Sequence, residues 1–100
     1  IEELAGSVDG VGRGAAFGIF DSRRQTERIV LYVEVQPKYL RAAEQRDLKR
    51  LEIRNALASA HFEIDEVQIF AKGFLPRTTS GKIRRGTIHQ QYLQQLSKED

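Results

Sequence analysis

Chemistry in this chain is concentrated in one segment, 75-LPRTTSGKIRR-85, which holds three hydroxyls, a glycine and four cations within eleven residues. Gly81 followed by Lys82 invites comparison with the phosphate-binding pattern G-x-x-x-x-G-K-[ST], in which backbone amides cradle phosphates and a hydroxyl holds magnesium. The first glycine of that pattern falls on Pro76 and the hydroxyl falls on Ile83, so the segment is not a nucleotide-hydrolase loop. An anion still suits it. Thr78, Thr79 and Ser80 supply donors, Gly81 permits close backbone approach, and Lys82 carries a point charge on a mobile stem. If the segment opens a helix, free N–H groups and the positive end of the helix dipole add to the attraction. The plainer reading has Ser80 capping the helix and Lys82 solvated, and spacing alone leaves the two readings level.

The charge distribution points the same way. Residues 1–66 carry ten Lys/Arg against twelve Asp/Glu, whereas residues 67–98 carry six Lys/Arg and no acid. A one-signed third suggests an anionic partner, with a solvated basic face as the alternative. Phe70, Phe74 and Tyr92 lie in that third and could stack on bases, but their placement beside apolar residues reads as core packing, and no nucleic-acid motif accompanies them. His61 and His89 lack carboxylate-rich surroundings, so no metal site is expected and packing or surface roles suit them. The pairs Glu2-Glu3 and Asp65-Glu66 read as helix-start and turn charges, not as an acid/base couple.

The elements that must position this segment follow from periodicity. One hundred residues, 40% hydrophobic and 30% charged, make one globular domain burying roughly two-thirds of its unfolded surface. Cysteine is absent, which excludes disulfides and thiolate metal sites and fits a cytoplasmic location. No apolar run is long enough to span a membrane. The chain contains no methionine and opens on Ile1, so it is expected to be a piece of something longer.

Residues 2–14 are expected to form a short helix ending in a glycine-rich turn, and 15-AAFGIF-20 a strand. The polar turn 21–27 leads into 28-RIVLYVEV-35, with Ile29, Leu31, Val33 and Val35 on one face, completing an antiparallel hairpin. Pro37 closes that strand. A helix over 42–61 shows two apolar stripes, Leu48–Leu51–Ala58–Phe62 and Ile53–Leu57–Ala60, predicting cover on two sides. Strand 66-EVQIFA-71 and a final helix over 83–96, with Ile88, Tyr92 and Leu96 at four-residue spacing, complete the order α-β-β-α-β-α. This is an α+β domain, a small three-stranded sheet with helices packed on it.

Residues 75-LPRTTSGKIRR-85 resemble the last motif of the adenylate-forming enzymes, which include acyl- and aryl-CoA synthetases, nonribosomal peptide synthetase adenylation domains, luciferases and fatty acyl-AMP ligases. That motif runs proline, small polar residues, glycine, lysine, an aliphatic residue and a basic or polar pair; Pro76, Gly81, Lys82, Ile83 and Arg85 match it. The whole chain, 1–100, is similar to the small C-terminal domain of these enzymes, and Ile1-Glu2 to the tail of the motif at its hinge. Among the branches it most resembles the fatty acyl-AMP ligases, in 15-AAFGIFDSRRQTERIVLYVEV-35 and 74-FLPRTTSGKIRRGTIHQQYL-93. Peptide-synthetase domains more often carry an asparagine before the glycine and an aspartate where Arg84 stands.

The resemblance implies an acid–thiol ligase in which fatty acid and ATP give acyl-AMP and pyrophosphate, and the acyl group then passes to an acyl carrier protein or, in the synthetase branch, coenzyme A. It makes Lys82 the catalytic lysine of the first step, with Ser80 and Gly81 shaping its loop. ATP and Mg2+ would be bound mainly by a separate N-terminal adenylation domain against which this domain rotates, so the chain alone is expected to be inactive. The alternatives are an acyl-CoA synthetase domain and, from another class, a non-catalytic module docking a carrier protein or another anion.

Overall fold

The computed structural model describes residues 1–99. Its elements are α1 (Glu2–Gly6), β1 (Val11–Asp21), β2 (Thr26–Val35), a 3₁₀ turn (Pro37–Tyr39), α2 (Ala43–Ser59), β3 (Glu66–Ala71) and α3 (Arg85–Glu99). The expected α+β order is therefore the observed one. β2 is the central strand, antiparallel to β1 (Phe17 opposite Val30) and parallel to β3 (Leu31 opposite Val67). A parallel neighbour needs a crossover, and α2 supplies it.

Because β2 is covered on both faces, its apolar residues do not simply alternate with polar ones. Leu31, Val33 and Val35 pack with Ala5 of α1, Ile53 and Leu57 of α2, and Val67 and Ile69 of β3. Val30 and Tyr32 point the other way, into a second core with Ala15, Ile19, Leu75, Ile88 and Tyr92. Phe17 lies edge-on to both tyrosine rings, and His89 of α3 stacks on it at 5.1 Å, the packing role expected of that histidine. Burial pushes the Tyr32 hydroxyl up to about 12, helped by the Glu66 and Tyr92 charges. One face is thus aliphatic, the other aromatic.

Three expectations need correction here. Residues 11–14 belong to β1 and not to a glycine turn, because pairing with β2 continues past them through one extra residue between Val11 and Gly14. The α2 helix is covered on one side only. Its buried positions are Lys49, Ile53 and Leu57, spaced by four, while Leu48 and Leu51 are more than half exposed and Phe62 is 39% exposed. The Leu48–Leu51–Ala58–Phe62 stripe is the one left toward solvent, because α1 and the sheet together cover only the Ile53–Leu57 side of the helix. Phe74 is 65% exposed, stacked on Phe70 at 4.7 Å instead of buried in the core. Ile88 and Tyr92 of α3 are buried as expected; the Leu96 side chain lies outside what is described.

Candidate functional site

The sequence places Lys82 at the opening of a helix, whereas the structure places it on a hairpin. The Thr78 N–H donates to the Lys82 carbonyl at 2.8 Å, the Gly81 N–H to the Thr78 carbonyl at 2.9 Å, and Arg77 pairs with Ile83 as an antiparallel bridge. Gly81 makes the reversal with φ +87°, a backbone that side-chain-bearing residues adopt at a cost. The Thr78 hydroxyl receives the Lys82 N–H at 3.2 Å and lies 3.0 Å from the Ser80 hydroxyl. Ser80 therefore does not cap α3, which begins at Arg85. The backbone donors of Gly81, Lys82 and Arg84 are already used within the hairpin, Arg84 N–H reaching the Pro76 carbonyl at 2.9 Å. Those three donors are not left for an anion.

The hairpin base is fastened to the sheet. Leu75 is buried and Ile83 partly buried in the aromatic core, so the residue between them and solvent, Lys82, is turned outward. Beneath lies Glu34 of β2, 2% exposed. Its carboxylate accepts the Leu75 N–H at 2.9 Å and the Arg77 guanidinium at 2.5 and 3.1 Å. Burial alone would push this carboxyl up. The Arg77 pair and the Leu75 and Gly73 N–H groups outweigh it and hold Glu34 below the ordinary carboxylate range. The acid missing from the basic third in sequence is thus supplied from a strand forty residues earlier.

Lys82 itself is exposed, and among the described residues its ammonium makes no hydrogen bond and no ion pair. It faces an open cleft of about 520 Å³ whose charged lining is Glu2, Glu3, Arg13, Lys82 and Arg85. Arg85 is paired with Glu2, and Arg13 Nη1 donates to the Gly81 carbonyl at 2.5 Å. Among the basic residues of the last third whose side chains are described, Arg77 and Arg85 have carboxylate partners while Lys72, Lys82 and Arg84 have no ion pair, so the segment mixes paired and unpaired cations and is not a uniform basic face. Such an arrangement can present one ammonium to an anion that enters the cleft. Among the described residues no three His, Cys, Asp or Glu side chains come together to hold a metal. The Mg2+ that accompanies ATP in the resemblance has no ligand set here. Among the described residues no helix is long and apolar enough to cross a membrane.

Sequence reasoning missed Arg13 and Glu34. Glu34 carried a weak signal, a charge inside the apolar run 29-IVLYVEV-35; Arg13, 68 residues from its partner, carried none.

No family model matches the chain. It is 35% identical over 89 residues to the long-chain-fatty-acid–AMP ligase FadD28 of Mycobacterium tuberculosis, an alignment covering 83% of this chain and 15% of that protein. It is 31% identical over 97 residues to the 4-hydroxyphenylalkanoate adenylyltransferase of the same organism, covering 93% of this chain and 14% of that one. The chain therefore spans about one-seventh of the length of the curated relatives it matches. Among solved structures, McyG A-PCP complexed with phenylalanyl-adenylate superposes with a TM-score of 0.80 at 21% identity, over 95% of this chain and 17% of that one. That likeness establishes the fold.

Proposed function

The chain belongs to the adenylate-forming enzyme superfamily, corresponding to the C-terminal region of its members, and on that premise we propose that Lys82 is the catalytic ammonium of a fatty acyl-AMP ligase. The observation that carries this reading is an exposed lysine, without a hydrogen-bond or ion-pair partner among the described residues, on a hairpin whose base is fastened and lining an open cleft. The 35% identity to a long-chain-fatty-acid–AMP ligase supports the choice of branch.

In the proposed reaction a fatty acid carboxylate oxygen attacks the α-phosphorus of ATP, the bond to the bridging oxygen breaks, and pyrophosphate leaves. The Lys82 ammonium donates to the carboxylate and α-phosphate oxygens together. It holds two mutually repelling anions in line and offsets the charge that grows on the equatorial oxygens. Gly81 sets the reversal that projects the lysine, and Ser80, through Thr78, braces the same turn. The pocket for ATP, its Mg2+ and the acyl chain belongs to an N-terminal adenylation domain that this region joins in the full enzyme. Because the hairpin moves as one piece with the sheet, rotation of the whole domain carries Lys82 toward the adenylate site or away from it. In the second step the thiolate of an acyl carrier protein attacks the acyl carbonyl and AMP departs, a step without need of the ammonium.

The test is a comparison of half-reactions in the full-length enzyme. Lys82→Ala lowers ATP–pyrophosphate exchange by at least about a hundredfold, while transfer from supplied acyl-adenylate to the carrier protein is kept. Exchange at the wild-type rate refutes the assignment.

A further inference from the structure

Resting on the reading of Lys82 above, we infer that Arg13 is a positioning residue for the adenylation step, clamping from strand β1 the hairpin that carries the lysine. Three observations converge on it. The Arg13 guanidinium donates to the carbonyl of Gly81, the residue immediately before Lys82 and the one whose backbone makes the reversal. The same side chain lines the cleft that Lys82 faces. And Arg13 sits in the irregular part of β1, where three steps along β1, from Val11 to Gly14, oppose two along β2, from Val35 to Val33.

That extra residue is a β-bulge, a device that re-aims a side chain without interrupting the sheet. The flanking glycine makes it possible. A Cβ at Gly14 would come within 2.6 Å of both the Tyr32 carbonyl and a Val33 methyl, so β1 can close back onto β2 at this point only without a side chain. The stretch Gly12-Arg13-Gly14, which looks like a turn in sequence, is thereby a bulge aimed at the hairpin tip.

The hairpin is held at its base by Glu34, but among the described residues its tip has only local bonds apart from the one from Arg13. The hydrogen bond that the planar Arg13 guanidinium donates is charge-assisted, and it reaches the tip from a sheet strand. The neighbouring charges are accounted for: Arg85 is held by Glu2, and Glu3 stands exposed on the cleft rim. Arg13 therefore acts through the backbone on which Lys82 is mounted.

Two measurements test this. In the 100-residue chain, amide hydrogen exchange at residues 78–82 rises in Arg13→Met relative to wild type while exchange in β2 stays the same, and Arg13→Lys, which keeps a cationic donor, restores part of the protection. Unchanged exchange at the tip overturns the clamp. In the full-length enzyme, Arg13→Met lowers pyrophosphate exchange about tenfold, leaves transfer from preformed acyl-adenylate alone, and has no further effect once Lys82 is Ala. A loss that multiplies with that of Lys82→Ala overturns positioning through Lys82, as does no loss at all. If Lys82→Ala is itself harmless, the reading of Lys82 fails while the exchange result at the tip still decides whether the clamp exists.

Discussion

At one end of the molecule Lys49 of α2 is 3% exposed, its ammonium 3.9 Å from the Tyr39 ring centroid and donating to the Asp9 carbonyl at 2.7 Å and Glu52 at 2.9 Å. On the hairpin Lys82 is exposed and has none of these partners among the described residues. The two side chains are chemically identical, and only their surroundings separate a lysine that holds α2 against the 3₁₀ turn from one left available to a ligand. Desolvation makes an unpartnered buried ammonium costly, so Lys49 must be saturated with partners. In water Lys82 bears no such requirement. A lysine can be left free on a built hairpin without destabilising the domain, and the structure around it, not the lysine, carries the stability.

The contrast can be attacked from the hairpin base first. Glu34→Gln removes the carboxylate under the loop and leaves the Arg77 guanidinium, partly exposed, without its anion. It is expected to lower the stability of the chain by about 2–3 kcal/mol in urea unfolding. A value near zero would mean that the base is not what fastens the hairpin. Lys49→Met keeps the apolar stem and removes the cation from the Tyr39 ring and the Asp9 carbonyl, with an expected loss of about 1–2 kcal/mol in the same measurement. If this variant is neutral, Lys49 is no more structural than Lys82 and the comparison breaks.

Acid sharpens the same distinction. With its carboxyl held below the ordinary value of 4.5, Glu34 contributes stability that is complete above that pH and is lost as the pH falls through the depressed value. Wild type is therefore expected to lose stability below pH 4.5 more steeply than Glu34→Gln, whose amide does not titrate. Parallel pH profiles for the two chains would contradict the cause assigned to that shift.

The architecture was largely legible in the sequence, because 28-RIVLYVEV-35 and 66-EVQIFA-71 are β-rich runs and Pro37 marks where β2 must end. What misled were residues whose type speaks for one environment while the fold supplies another. Glycine normally breaks strands, yet Gly12 and Gly14 lie within β1, and at Gly14 the close approach to β2 beside the bulge leaves no room for a side chain. Leucine normally marks the buried stripe, yet Leu48 and Leu51 lie outside it and Lys49 lies within, since its stem is apolar and its charge finds three partners. The motif around Lys82 was readable by its residues; its geometry was not. A helix-opening loop and a hairpin followed by a helix differ through the Arg77–Ile83 bridge and the Glu34 anchor, and the second of these joins residues about forty positions apart.

The smallest change in stability belongs to the residue on which the account turns. Lys82→Ala in the 100-residue chain is expected to leave unfolding free energy within about 0.5 kcal/mol of wild type, and in the full-length enzyme to lower ATP–pyrophosphate exchange by at least about a hundredfold. Measured side by side, stability kept and exchange lost is the predicted result. Stability lost as in Lys49→Met, with exchange intact, would contradict it.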